Sequence, residues 1–134
     1  MPLLLDTHTL IWMDEGSDRL GAAARKRIAD EFHEGKVYVS PISIWEVGVA
    51  ARKGRVQLTS PIKAWTQSVF VSGYREMPLK VQHAVLASEL DWGHQDPADR
   101  FLVATALVES LTLVTADKAI HTWRGRLDRL DARR

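Results

Sequence analysis

Three short apolar runs, Leu3-Leu4-Leu5, Val37-Tyr38-Val39 and Leu111-Thr112-Leu113-Val114, stand far apart in the chain with helical patterns filling the gaps between them. Their lack of helical spacing, and the polar or turn residues that bound them, fit strands buried on both faces. Strands separated by whole helices cannot close as hairpins. The chain is therefore predicted to use crossover connections and to form a mostly parallel α/β sheet. Weaker strands are predicted around Met77 and at Arg126–Leu130.

The helical segments carry their own boundary signals. Leu20, Ala24, Ile28 and Phe32 recur every four residues and the pattern stops at Gly35, which reads as an amphipathic helix with a glycine end. Ser40-Pro41, Ser60-Pro61 and Asp96-Pro97 each pair an N-cap residue with a proline suited to the first helical position. Helix starts are predicted near 41, 61 and 97.

With 134 residues, 46% hydrophobic and 26% charged, the chain is expected to be one soluble domain over residues 1–134. Such a length buries roughly two-thirds of the unfolded surface, so no covalent staple is needed. The absence of cysteine excludes a thiolate zinc site and a cysteine nucleophile. No apolar run approaches the roughly 20 residues of a membrane helix, and Pro2–Leu5 is too short for a signal peptide. A cytoplasmic protein without membrane contact is expected.

The acids are placed where open α/β sheets hold their sites, beyond the carboxyl ends of strands and at the helix starts that follow. Asp6 ends the first strand, Glu46 lies in the first turns of the helix after the second, Asp96 and Asp99 open the helix at Pro97, and Asp117 follows Leu113–Ala116. Each also suits a structural role: Asp6, Asp96 and Asp117 as N-caps, Asp99 as a first-turn acid, Glu46 in a capping box with Ser43. Glu46 and Asp99, however, share helix faces with Ile42 and Val49, and with Leu102 and Val103, which turn toward protein. Buried carboxylates that converge need a cation, a basic partner or a shared proton. Arg100 points about 100° away from Asp99 around the helix and can help one neighbour, not all four. A divalent ion answers the need, and an all-oxygen donor set suits Mg²⁺ or Mn²⁺ better than zinc. Thr7 and Thr115 are placed to hydrogen-bond the acids or a phosphate. The five histidines form no H-E-x-x-H pairing, and His8 and His94 are expected to be loop or outer residues.

Residues 50–80 carry six basic groups and one acid. Arg52, Lys53, Arg55 and Lys63 among them are candidates to follow a polyanion backbone. Leu10, Ile11 and Trp12, with Trp45 beside Glu46, are candidates to line a groove for a partner peptide, since aromatics are enriched at interface hot spots.

Taken in order, Asp6-Thr7-His8 after a strand, Ser43-Ile44-Trp45-Glu46-Val47, His94-Gln95-Asp96-Pro97-Ala98-Asp99-Arg100 and Leu113-Val114-Thr115-Ala116-Asp117 resemble a PIN domain. More narrowly, the chain resembles the VapC-type ribonuclease toxins of type II toxin–antitoxin pairs, from Leu3 to about Leu130. The resemblance implies a three-layer α/β/α fold whose acids gather around one or two Mg²⁺ or Mn²⁺ ions and hydrolyse RNA phosphodiesters. The motif acids fall on Asp6, Glu46, Asp99 and Asp117, with Asp96 first an N-cap and second an outer-sphere ligand, and Arg100 auxiliary. It further implies a homodimer silenced by a cognate antitoxin, a segment of which crosses the groove. The chain departs from the subgroup at Ala98, where an aromatic is usual, and in the loop Asp91-Trp92-Gly93, so loop contacts do not carry over.

Other readings give different outcomes. An aspartate-based phosphotransferase needs a second Asp two residues after the first, and His8 stands there. A PIN-like DNA nuclease would favour flapped DNA over RNA. A silent PIN module that binds RNA or a protein would be indifferent to EDTA and to Asp99→Asn.

Overall fold

In a computed structural model that describes residues 1–134, strand β1 (Leu3–Leu5) leads directly into helix α1 (Thr7–Glu15), followed by α2 (Ala22–His33) and β2 (Val37–Val39). Helices α3 (Pro41–Arg52) and α4 (Ile62–Ser72) precede β3 (Arg75–Glu76), and α5 (Val81–Glu89) and α6 (Pro97–Glu109) precede β4 (Thr112–Thr115). The short α7 (Lys118–Thr122) connects to β5 (Arg129–Asp131). The five strands form one sheet in the order β3-β2-β1-β4-β5, and every pairing is parallel.

Alternation along the strands divides the interior into two layers. Leu3 and Leu5 of β1 turn to one face, with Val37, Val39 and Val114, and meet Leu10, Ala24, Ile28, Val47 and Trp65. Leu4 and Leu113 turn to the other face and meet Leu102, Val103, Ala106 and Ile120. Helices cover both faces of the parallel sheet that the sequence pattern predicts, which gives the three-layer α/β/α arrangement implied by the family resemblance.

Several boundaries shift for local reasons. Leu111 is not in the strand: its N–H bonds to the Ala106 carbonyl (2.9 Å) and closes the end of α6, so β4 starts one residue later. The strand expected around Met77 is the short β3, and Met77 follows it with a backbone bond to the Val39 carbonyl (2.9 Å). The last strand occupies Arg129–Asp131 rather than Arg126–Leu130, because Leu127 N–H turns back to the Gly125 carbonyl (3.1 Å) and pairing with β4 is taken up only from the Asp128 carbonyl, which accepts from Leu113 N–H (2.9 Å). Helix α4 begins at Ile62 with Pro61 in the cap position and no side-chain cap bond, so Ser60 is not its N-cap. Leu20 precedes α2, whose own cap is Gly21.

Gly21 is fixed by close approach. An added Cβ would lie 2.0 Å from the backbone carbon of Arg134. In return the chain's last residues serve the start of α2: Gly21 N–H donates to the Ala132 carbonyl and Ala23 N–H to the Arg134 carbonyl, both at 2.8 Å. This replaces the side-chain cap that glycine cannot give.

Candidate active site

Leu5 is paired with both Val39 and Val114, so the central strands finish level with one another. The residues just past their carboxyl ends are therefore drawn to one edge. Asp6 is there, 5% exposed, as the N-cap of α1: its Oδ1 accepts from Thr9 N–H (2.8 Å) and its Oδ2 from the Thr115 hydroxyl. Asp117 caps α7 through Ala119 N–H (2.7 Å), and its own N–H donates to Thr115 Oγ1 (3.0 Å). Thr115 thus ties the two acids together through one fully buried hydroxyl.

Glu46 is not in a capping box. Ser40 caps α3 by accepting from Ile42 N–H (3.1 Å), and Glu46 Oε1 instead accepts from the Thr7 hydroxyl. Since Thr7 has one hydroxyl proton, Ser43, 3.1 Å away, can donate to the Thr7 oxygen in turn. Asp96 is the N-cap of α6, accepting from Asp99 N–H (3.0 Å), which leaves the Asp99 side chain to its own contacts. One of these is His94, whose Nε2 lies 2.7 Å from Asp99 Oδ2.

Burial dominates the electrostatics. It raises the carboxyl groups of Asp6 and Glu46 above their ordinary values, against the lowering effect of the hydrogen bonds from Thr115 and Thr7 respectively. Asp99 is pushed up to about 6, by burial first, opposed by the bond to His94 and reinforced by the charges of Asp96 and Asp117. No lysine or arginine pairs with Asp6, Glu46, Asp99 or Asp117. Arg100, the cation closest in sequence, is committed elsewhere. Its guanidinium donates to the carbonyls of Ala87 (2.9 Å), Leu90 (2.8 Å), Trp92 (2.7 Å) and His94 (3.0 Å), so it binds the loop before α6 and not the acids.

Carboxylates gathered at a partly buried edge without a paired lysine or arginine have the donor chemistry of a divalent-ion site. The tightest potential donor set combines His94, Asp99 and Asp117, with one donor atom from each within 4.8 Å of the others. His94 is the member that sequence reasoning left among loop residues. It stands two positions before the N-cap, where helix periodicity says nothing about direction, and only the loop path set by Arg100 brings it to Asp99.

Asp6 and Asp117 line one cleft of about 660 Å³, and Glu46 with Asp96 lines a larger one of about 810 Å³. Glu46, Thr7, Asp96 and His8 lie on its wall, Ile11, Trp12, Val49 and Phe101 give it an apolar floor, and Lys53 and Arg55 stand at its side. Trp45, 62% exposed, lines this cleft and a third one of about 930 Å³ that also takes in Arg52. Lys63 lines neither. Of the four predicted groove residues, Leu10 is not on the surface: it is 1% exposed and packed in the core, because α1 turns that side toward the sheet.

The family model of the PIN domain matches residues 3–124. The chain is 32% identical over 123 residues to Ribonuclease VapC22 of Mycobacterium tuberculosis (strain ATCC 25618 / H37Rv), an alignment that covers 91% of this chain and 92% of that protein. Among solved structures it is similar to VapBC2 from Rickettsia felis bound to a promoter DNA fragment, with TM-score 0.70 and 15% identity over 98% of this chain and 100% of the other. DNA-bound VapBC from Salmonella typhimurium gives TM-score 0.70 at 17% identity, over 96% and 98% of the two chains.

Proposed function

Given that this chain belongs to the PIN-domain family, we propose that it is a Mg²⁺- or Mn²⁺-dependent endoribonuclease and the toxin of a toxin–antitoxin pair. The observation that carries the reading is the gathering of Asp6, Glu46, Asp99 and Asp117 at one sheet edge with no lysine or arginine paired to them. The relative at 32% identity is named a ribonuclease, and one structural neighbour is a toxin–antitoxin complex from Klebsiella pneumoniae.

Asp6, Asp99 and Asp117, with Glu46, would hold the ion; when bound, it supplies Lewis-acid stabilisation of the phosphate's charge and makes water a stronger nucleophile. Thr115 holds Asp6 and Asp117 in register, and Thr7 fixes Oε1 of Glu46, which leaves Oε2 to accept a proton from the attacking water. In-line attack by water leaves a 5′-phosphate and a 3′-hydroxyl. Asp96 acts as cap of α6 and supports Asp99 through its N–H.

The acids repel RNA, so its backbone must be held by neighbouring cations. Lys53 and Arg55 beside the cleft, and Arg52 on the adjoining one, fill that part. Lys63 extends the same basic segment. The apolar floor at Ile11 and Trp12, with Trp45 at the rim, suits a segment of a cognate antitoxin, and the chain acts as a homodimer in the cytoplasm. No helix is long and apolar enough to cross a membrane.

The test is incubation of the chain, purified free of any co-expressed partner, with a mixed RNA pool in Mg²⁺, Mn²⁺ or EDTA, beside Asp99→Asn. Discrete fragments that need the metal and drop at least about a hundredfold in the variant are expected. Fragments that persist in EDTA, or in Asp99→Asn, would refute the proposal. RNA binding without cleavage would favour a silent module.

A further inference from the structure

The loop that carries His94 is built more firmly than its sequence suggests. Arg100 fastens it through four carbonyls from Ala87 to His94, the last of them the histidine's own. The Trp92 ring lies 4.7 Å from the imidazole, and Trp123, 5.7 Å from Trp92, anchors the loop by donating its indole N–H to the Asp91 carbonyl (3.1 Å). An imidazole needed only to decorate a loop would not require fixing from both the backbone and the ring face.

Nε2 is hydrogen-bonded to Asp99 Oδ2 at 2.7 Å, which places a ring nitrogen directly beside a carboxylate oxygen of the cluster. Asp117 completes a three-residue donor set within 4.8 Å. Imidazole nitrogen favours first-row transition ions over Mg²⁺, which prefers oxygen and water.

We propose that His94 is a direct nitrogen ligand at the acid cluster, and that it biases the centre toward a transition ion such as Mn²⁺ over Mg²⁺. The inference rests on the metal-dependent reading above. On ion binding the ring would exchange its Nε2 hydrogen bond with Asp99 for an Nε2–metal bond, and Arg100 is the positioning residue that presents it.

The experiment uses the full chain loaded with Mn²⁺ and reads the electron spin echo envelope of the ion for directly bonded ¹⁴N, beside calorimetric affinities for Mn²⁺ and Mg²⁺. Wild type is expected to show the ¹⁴N modulation. His94→Gln, which keeps a hydrogen-bond donor for Asp99 but no imidazole, is expected to lose it and to bind Mn²⁺ about tenfold more weakly, with Mg²⁺ affinity changed less than about twofold. Mn²⁺ bound without ¹⁴N modulation, or with modulation that survives in His94→Gln, overturns the assignment while the acid cluster stands. Failure of the folded wild-type chain to bind either ion overturns the metal-dependent reading and this inference with it.

Discussion

At the level of single residues, carboxylates held together at the sheet edge should cost stability while no cation is bound. Asp99 is half-buried, with two like charges acting on it and only His94 in compensation. In metal-free buffer at neutral pH, Asp99→Asn should therefore raise the melting temperature by roughly 3 °C, about 1 kcal/mol for a chain of this size. A lowered melting temperature would mean that the carboxylate is structural. Asp6→Asn should behave likewise, because asparagine caps helices as well as aspartate does and can still accept from Thr9 N–H. Both capping and clustering were legible in the sequence, but as alternatives; the structure gives Asp6 and Asp117 both at once.

At the level of elements, α6 shows how one helix is held at both ends. Its N-terminal side depends on Arg100, whose planar fork reaches four carbonyls. Arg100→Lys retains the charge but cannot span them, and should cost about 2–4 kcal/mol in urea unfolding, with faster amide exchange over residues 90–96. At the other end, Glu109 is an acid in the last turn, unfavourable to the helix dipole. It is offset by fully buried His83 (2.6 Å) and by Lys80 (3.1 Å), and the hydrogen bond from His83 holds its carboxyl below the ordinary 4.5. A depressed carboxyl contributes stability that is full above the unfolded value and is lost as pH falls through the folded one. Glu109→Gln should therefore be less stable than wild type at neutral pH, and the gap should close below about pH 4.5 in paired denaturation curves. Apolar runs and proline caps made β1, β2, α3 and α6 readable from sequence. The turn of His94 and the pairing of His83 with Glu109 were not, since each depends on where a loop or a second helix comes to rest.

For the whole molecule, the opposed charges of the acid edge and the 50–80 segment should govern encounter with a polyanion. Replacing Arg52 and Lys53 together with Ala should raise the apparent KM for RNA several-fold and flatten its dependence on salt, by about one unit of log–log slope for each phosphate no longer neutralised. Unchanged slopes would remove these side chains from the substrate path. The parallel sheet also has a consequence in time. The hydroxyl bond that locks Asp6 joins it to Thr115, 109 residues further on. A growing chain carries Asp6 long before it carries Thr115, and β1 cannot settle between β2 and β4 until residues 112–115 have been made. Chains that stop short of β4 should therefore lack the assembled acid edge, which forms in one step once Thr112–Thr115 joins the sheet.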